Sequence, residues 1–250
     1  MDLLLYSEIN IFCIVILSVI LIHCLTFPQK STENKFFISA VSFSILATLL
    51  DTAKTYIYFY SDFPFSQPIS SISGALCLIS FITAVFFCFL YMIKAQGSIL
   101  MKKKYSKTTI LCSSVSLGLF ILYILLNELS SYISGNGSIN SRLSFFLQIF
   151  ISLIYIIIPA LCAALKSLKE KYFTDKGKLI SICSFAIYPI SCVLFYNMID
   201  VSIIAIPMLT LSYLLVFIET QRRMISVDPV TGLDNRRRII DYLSAKKKNS

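Results

Sequence analysis

Long uninterrupted apolar runs constrain this chain more than any other feature of its sequence. Hydrophobic residues make up 57% of the 250 residues, and charged residues make up only 14%. The apolar residues follow neither the period of an amphipathic helix nor that of a half-buried strand. Runs of about 20 residues match a helix that crosses a hydrocarbon core of roughly 30 Å. The sequence therefore predicts an all-α membrane protein.

Seven such runs are present, and each predicts a transmembrane helix. They cover residues 5–27, 36–60, 71–93, 109–133, 143–165, 179–196 and 201–218. Only Asn197–Asp200 separates the last two runs, so a single re-entrant hairpin is the alternative there. We expect the first run to remain as a helix, because Asp2 and Glu8 flank it where a signal peptide carries basic residues.

The basic residues predict the orientation of this seven-helix bundle. With the N-terminus outside, all 22 lysines and arginines except Lys54 and Arg142 fall in inner loops or in the C-terminal tail. Cytoplasmic loops carry such an excess, and six spans would break the alternation. We therefore expect a multi-pass protein with its N-terminus outside and its C-terminus in the cytoplasm. The net charge of +9 follows from this asymmetry and from attraction to anionic lipid, so nucleic acid is not an expected partner.

The sequence does not indicate a metal site. All eight cysteines lie in predicted spans, where we interpret them as small buried hydrophobic side chains. None forms a C-x-x-C pair. The only histidine, His23, has no obvious ligand partners.

Prolines lie inside the last three predicted spans, at Pro159, Pro189 and Pro207. A proline in a membrane helix frees a backbone carbonyl and tends to kink the helix. Kinks in three successive helices would be suited to a hinge.

Three charged residues inside the spans predict an outward-facing ligand pocket. Asp51 and Lys54 lie three residues apart in the second span, close enough on one side of a helix to form a pair. Each alone would cost about 2.5–3.5 kcal/mol at the centre of the bilayer, so pairing or access to water is expected. Glu128 lies near the outer end of the fourth span. We therefore take these three residues as candidates for binding an unknown extracellular ligand.

Polar stripes with alternating spacings of three and four residues run along three of the spans. Their members are Ser44, Thr48, Asp51, Thr55 and Tyr58; Gln148, Ser152 and Tyr155; and Ser184, Tyr188 and Ser191. One interpretation is a polar interior that opens outward. The alternative is a set of interhelical hydrogen bonds and one ion pair that fix the packing, each bond worth about 0.6–2 kcal/mol. A transport pathway is a third possibility, although no repeated halves with paired broken helices are found.

The chain after the last span predicts a helix that leads out of the membrane. Residues 219–227 are expected to continue the seventh helix as a signalling linker between a membrane domain, 1–218, and a cytoplasmic segment, 228–250. The 3-4-3 spacing of a short coiled-coil seam is found at Leu214, Phe217, Gln221 and Met224. Asp228 is expected to cap a further helix that has Pro229 at its first position.

The ten residues from Asp228 to Arg237 read D-P-V-T-G-L-D-N-R-R. This run closely resembles the opening signature of GGDEF domains, the diguanylate cyclases, which reads D-x-L-T-G-L-x-N-R-R. Only Val230 departs from it, where leucine is usual. The resemblance covers residues 226 to 250, about a tenth of the chain. It implies the first, structural segment of an α/β domain, with motif residues at Asp228, Thr231, Gly232, Leu233, Asn235, Arg236 and Arg237.

The resemblance implies that a membrane sensor of the bacterial inner membrane controls synthesis of cyclic di-GMP. Mg²⁺ and GTP are then expected in the remainder of the cyclase domain, and a homodimer is implied because each protomer presents one of two GTP molecules. No catalytic residue is assigned, since no two glycines are adjacent in the 250 residues and the G-G-[DE]-E-F hairpin therefore lies outside them. These residues alone are expected to be inactive. The alternatives are a catalytically degenerate GGDEF-like scaffold and a small-solute transporter.

Overall fold

The computed structural model describes residues 3–27, 31–59, 66–97, 106–134, 150, 153–168, 176–195 and 201–225. All regular structure in these segments is helical. The helices are α1 (Leu3–Thr26), α2 (Thr32–Phe59), α3 (Ser66–Ala95), α4 (Ser106–Ser134), α5 (Ile158–Ser167), α6 (Lys176–Cys183), α7 (Ile187–Phe195) and α8 (Val201–Ile225). A π-helical turn, Leu153–Ile157, leads into α5, and a 3-10 turn, Ser184–Ala186, joins α6 to α7.

Within the described segments, five helices are long and apolar enough to cross a membrane. They are Leu3–Thr26, Thr32–Ile57, Ile69–Ala95, Lys176–Leu194 and Ile204–Arg223. The last two correspond to the predicted sixth and seventh spans. Two shorter apolar helices, Ser113–Leu126 and Leu153–Ser167, overlap the predicted fourth and fifth spans. The prediction of an all-α protein with several membrane-spanning helices is therefore confirmed.

Local signals in the sequence set the helix ends. The Ser31 hydroxyl accepts a hydrogen bond of 3.1 Å from the backbone N–H of Asn34 and so caps the start of α2. After the end of α3, Gly97 has a φ of 58°, and its N–H donates to the Lys94 carbonyl at 3.0 Å. This left-handed conformation favours glycine, because a Cβ would crowd the backbone there.

Two of the three membrane prolines coincide with irregular helix geometry. Pro159 follows the π-helical turn, and Pro189 follows the 3-10 turn. Proline has no N–H and its ring crowds the preceding turn, so the regular ladder of hydrogen bonds is interrupted at both places. Pro207, in contrast, lies inside the continuous helix α8. The hinge itself stays a prediction.

Side chains from other helices bond the carbonyls near these irregular turns. Gln96 Nε2, just after α3, donates to the Pro159 carbonyl at 2.8 Å, and Ser212 Oγ of α8 donates to the Ser184 carbonyl at 2.9 Å. Lys166 Nζ at the end of α5 donates in turn to the Gln96 carbonyl at 3.1 Å. These contacts satisfy backbone groups that lipid cannot hydrogen-bond.

The most extensive helix pair is formed by α2 and α3. Small side chains lie buried on both helices, at Ala40 and Ala47 of α2 and at Ala75 and Ala84 of α3. Such residues let two membrane helices approach closely, so that dispersion contacts between them hold the pair together.

Polar contacts between helix ends define one end of the bundle. Lys178 Nζ of α6 lies 2.7 Å from Glu33 Oε2 of α2, where both helices begin. His23 of α1 and Gln221 of α8 approach to 3.3 Å, where both helices approach their last turns. We call the end that contains these four residues the basic end.

Tyr213 of α8 joins three parts of the core. Its side chain is 0% exposed, and its hydroxyl lies 3.0 Å from Ser44 Oγ of α2 and 2.9 Å from Cys88 Sγ of α3. Its ring packs edge-on against Phe37 of α2 and Phe185 of the 3-10 turn, with centroids 5.9 and 5.5 Å away. Tyr213 thus fixes α8 against α2 and α3.

Replacing Tyr213 with phenylalanine should lower the stability of the bundle, because Ser44 and Cys88 lose this partner. We expect a loss of about 1 kcal/mol, or a fall in melting temperature of about 2–4 °C. Thermal unfolding of the purified protein in lipid nanodiscs measures the change. Tyr123→Phe is the control, since Tyr123 is a partly buried tyrosine and no described residue bonds its hydroxyl. Equal melting temperatures for the two variants would contradict the role of the Tyr213 hydroxyl.

Candidate functional site

Asp51 lies in the contact between α1 and α2. Its side chain is 9% exposed, and its Oδ2 accepts a hydrogen bond from the hydroxyl of Tyr6, which is 4% exposed. At a rise of about 1.5 Å per residue, Asp51 lies about 12 Å inside the end of α2 at Phe59. A carboxylate at this depth needs donors or opposite charge from the protein or from water, and Tyr6 supplies one donor.

Asn10 forms the second polar contact between α1 and α2, one turn from Tyr6. Its Nδ2 donates to Thr52 Oγ1 at 3.0 Å. The hydroxyl proton of Thr52 is used elsewhere, because Thr52 Oγ1 donates to the Thr48 carbonyl at 2.8 Å. Thr52 Oγ1 is therefore the acceptor toward Asn10, which fixes the orientation of the Asn10 amide. We call Tyr6, Asn10, Asp51 and Thr52 the Asp51 seam.

Tyr6 and Asn10 were not among the site residues predicted from the sequence. A signal was present, because they are polar residues four positions apart in an apolar run and so lie on the same face of a helix. That face had no assigned partner until α1 was placed beside α2.

Lys54 does not form the predicted ion pair with Asp51. No contact of 4.0 Å or less joins their charged atoms, although both side chains belong to the described part of the chain. The Lys54 side chain is exposed and lies over Gly74 of α3, with its Nζ 3.5 Å from where a Cβ of residue 74 would stand. Of the two expectations, pairing or access to water, the pair is not formed within 4.0 Å, because Asp51 contacts α1 whereas Lys54 extends across α3 and is exposed.

The remaining predicted site residues stay predictions. Glu128 lies on α4, but its side chain is outside the described set. The motif that resembles the GGDEF opening lies outside the described residues altogether. Its members are Asp228, Thr231, Gly232, Leu233, Asn235, Arg236 and Arg237.

The polar stripe on α2 divides into two parts. Thr48 and Thr55 donate to the carbonyls of Ser44 and Asp51 within their own helix, at 2.8 and 2.9 Å. Ser44 bonds Tyr213 across the core. Only the bond between Ser44 and Tyr213 is interhelical, so it supports the packing interpretation at Ser44, whereas Thr48 and Thr55 bond within α2. Asp51 differs, because its carboxylate faces the polar side chains of α1.

The other two stripes also form packing contacts where they are described. Tyr155 bonds Ser116 of α4, and its ring packs against Phe89 at 4.9 Å. Ser184 and Ser191 donate to carbonyls three residues earlier, at 2.6 and 2.9 Å. Outside the described set lie Gln148, Ser152 and the side chain of Tyr58.

At the basic end, α8 continues past the predicted span to Ile225, as expected for a signalling helix. Gln221 Nε2 lies 3.3 Å from His23 Nδ1, and the Phe217 ring packs edge-on against His23 at 5.1 Å. These two members of the predicted seam therefore contact α1 of the same chain. The end of α8 and the end of α1 are in direct contact.

A second contact joins the end of α8 to the start of α6. The Glu219 carboxylate lies so close to Gly177 that a Cβ at this position would collide with it. Glu219 also lies 4.0 Å from Arg222, one turn along α8. A movement of α6 against α8 would first change the contact between Glu219 and Gly177.

The described residues include no group of three or more histidine, cysteine, aspartate or glutamate side chains placed to hold a metal ion. Cys13, Cys24, Cys88 and Cys192 are buried as free thiols among apolar side chains. Cys88 has a structural role through its contact with Tyr213.

No protein-family model matches this chain, and no curated protein or solved structure is significantly similar to it. Its function is therefore inferred from its own residues and their geometry.

The contact between Tyr6 and Asp51 should be measurable as a coupling free energy. In a double-mutant cycle of Tyr6→Phe and Asp51→Asn, we expect a coupling of about 1–2 kcal/mol, because the bond is charge-assisted and buried. Unfolding of the purified protein in mixed micelles provides the four free energies. The matched cycle of Tyr6→Phe with Lys54→Gln should give a coupling of less than about 0.5 kcal/mol. Equal couplings in the two cycles would contradict the geometry.

Proposed function

We propose that this chain is the integral-membrane sensor region of a protein whose C-terminal domain is a diguanylate cyclase. The observation that carries the proposal is the run from Asp228 to Arg237, which resembles the GGDEF opening and follows shortly after Ile225, where α8 ends. A membrane bundle directly joined to such a domain has the arrangement of a receptor and its output.

The proposed topology has seven spans, with the N-terminus outside and the C-terminus in the cytoplasm. Five helices of spanning length and two shorter apolar helices support the count. The orientation is supported by the basic residues, which concentrate in the loops expected on the inner side. The contacts of His23 with Gln221 and of Glu33 with Lys178 agree with the proposed topology. Each contact joins helix ends that the topology places on the same side of the membrane.

The proposed signal passes from the Asp51 seam to α8. Asp51 and Ser44 lie on one helix, about 10 Å apart along its axis at 1.5 Å per residue. Ser44 bonds Tyr213, and Tyr213 lies on the same continuous helix as Glu219 and Gln221. A shift of α2 against α1 therefore moves the hydrogen-bond partner of α8, and α8 carries the displacement toward the cytoplasm as a stiff rod.

The proposed output is synthesis of cyclic di-GMP, which follows from the resemblance of the run from Asp228 to Arg237 to the GGDEF opening. Two cyclase domains, each holding GTP with Mg²⁺, must face each other to join the two nucleotides, so the geometry of α8 would set whether they meet. No residue of these 250 is assigned a catalytic role. An external ligand, or a state of the membrane itself, would supply the stimulus.

The test is to express the complete reading frame that contains this chain in a bacterial host and to measure cyclic di-GMP by mass spectrometry. We expect the level to rise above the vector control.

Asp51→Ala and Lys54→Ala should each change the cyclic di-GMP level without reducing the amount of protein in the membrane fraction. Thr83→Val is the control, because Thr83 donates only to the Ile79 carbonyl of its own helix, at 2.7 Å.

The two alternative functions, scaffold and transporter, predict different outcomes of this experiment. An unchanged cyclic di-GMP level, together with nucleotide-independent partner binding, would favour the degenerate scaffold. Solute flux into vesicles without cyclic di-GMP would favour a transporter. Unaltered output in both the Asp51→Ala and Lys54→Ala variants would remove these residues from the sensory site.

A reporter that is active only in the cytoplasm tests the proposed topology. Fused to either terminus, it should be active at the C-terminus alone.

A further inference from the structure

The Asp51 seam contains more buried acceptors than donors. Asn10 is 1% exposed, and its Oδ1 accepts no hydrogen bond from any described residue. This oxygen is correctly placed as the acceptor of the amide, because Thr52 commits its own proton to Thr48 and so requires the nitrogen of Asn10. Turning the amide over would leave Thr52 facing an oxygen without a proton between them.

Most donors around the seam are already engaged, and the amide N–H groups of Asn10 are shared between Thr52 and the Asp51 carboxylate. The Tyr6 hydroxyl donates to Asp51, and Thr55 donates to the Asp51 carbonyl. Ser73 of α3 donates to the Leu50 carbonyl at 3.0 Å. Lys54 extends over Gly74 and makes no ion pair with Asp51. The carboxylate can accept about four hydrogen bonds, so capacity remains on Asp51 as well as on Asn10.

Burial makes this surplus of acceptors energetically significant. An unpartnered amide oxygen in apolar surroundings costs about 1–3 kcal/mol, and an uncompensated carboxylate costs more. A neutral donor would satisfy the amide but would leave an ionised Asp51 with only the more distant Lys54 as a counter-charge. A cationic group satisfies both at once, because oxygen ligands with one negative charge attract a hard cation or an ammonium group.

We infer that the Asp51 seam is a binding site for a monovalent cationic group, held by the Asp51 carboxylate and Asn10 Oδ1. A single carboxylate matches a single positive charge, whereas Ca²⁺ takes 6–8 oxygen ligands and Mg²⁺ requires a near-octahedral set. The cationic group is either a small inorganic ion such as Na⁺ or the ammonium head of an organic ligand. The site deepens the proposed sensor function and rests on it for its physiological meaning, but its binding chemistry is testable without the cyclase.

Binding of such a group would couple directly to helix position. Asn10 belongs to α1 and Asp51 to α2, so a cation held by both draws the two helices together at this point. Because Ser44 of the same α2 bonds Tyr213, the tightening would reach α8 through the core. A bound cation would therefore act on the position of α8, the helix that leads to the proposed output domain.

Thermal unfolding of the purified full chain in nanodiscs tests the site. The melting temperature is measured in sodium chloride, methylammonium chloride and choline chloride at equal ionic strength, with choline as a cation too bulky for the seam. We expect sodium or methylammonium to raise the melting temperature of the wild type by about 5 °C relative to choline. A rise with sodium identifies an inorganic ion, and a rise with methylammonium alone identifies an ammonium head. Equal melting temperatures in all three salts would overturn the inference.

Three variants separate binding from folding. Asp51→Asn should abolish the rise, whereas Thr83→Val should keep it in full. Asn10→Asp adds a second carboxylate, so it should lower the melting temperature in choline and enlarge the rise given by the bound cation. Equal destabilisation of Asn10→Asp in every salt would indicate a purely structural asparagine and would contradict the site.

The two proposals fail in different ways. Loss of the cation effect with cyclic di-GMP production intact would dismiss the cation site and leave the sensor. Cation-dependent stability without any cyclic di-GMP would keep the site and dismiss the cyclase.

Discussion

The requirement that buried polar groups find partners inside the protein governs this structure more than any other constraint. Lipid offers no hydrogen bonds, so polar atoms in the spans depend on partners from the chain itself or from a bound group. The Tyr213 hydroxyl meets this requirement for Ser44 and Cys88, and Gln96 meets it for the carbonyl of Pro159. The bonds that satisfy isolated polar atoms are therefore the same bonds that fix neighbouring helices against each other.

The proposed signalling route is a consequence of this constraint. The seam between α1 and α2 contains a buried carboxylate and an amide oxygen with spare acceptor capacity. From the same helix α2, Ser44 bonds Tyr213 across the core. α8 then extends without interruption to Ile225, past its contacts with His23 and Gly177. In the proposed route, the Asp51 seam is joined to α8 through the single bond between Ser44 and Tyr213.

The sequence predicted the helices well because a long apolar run determines a membrane helix almost by itself. It also located Asp51, since a carboxylate inside such a run requires an explanation. It did not predict that Tyr6 is the partner of Asp51, or that Lys54 extends over Gly74, because these contacts depend on which helices become neighbours. The seam at Phe217 and Gln221 had the spacing of a coiled coil, but the same spacing suits packing against His23 of α1. Periodicity gives the face of a helix and not its partner.

We propose that α8 carries the state of the bundle to the C-terminal domain as a rigid helix. To test this, one to four alanines are inserted after Arg223 in the complete reading frame, and cyclic di-GMP is measured. Two residues rotate the following chain by about 200°, whereas four rotate it by about 40° beyond a full turn. We expect the cyclic di-GMP level to change most with two residues and to return toward the wild-type level with four. A steady change with insertion length, or no change at all, would exclude transmission through helical phase.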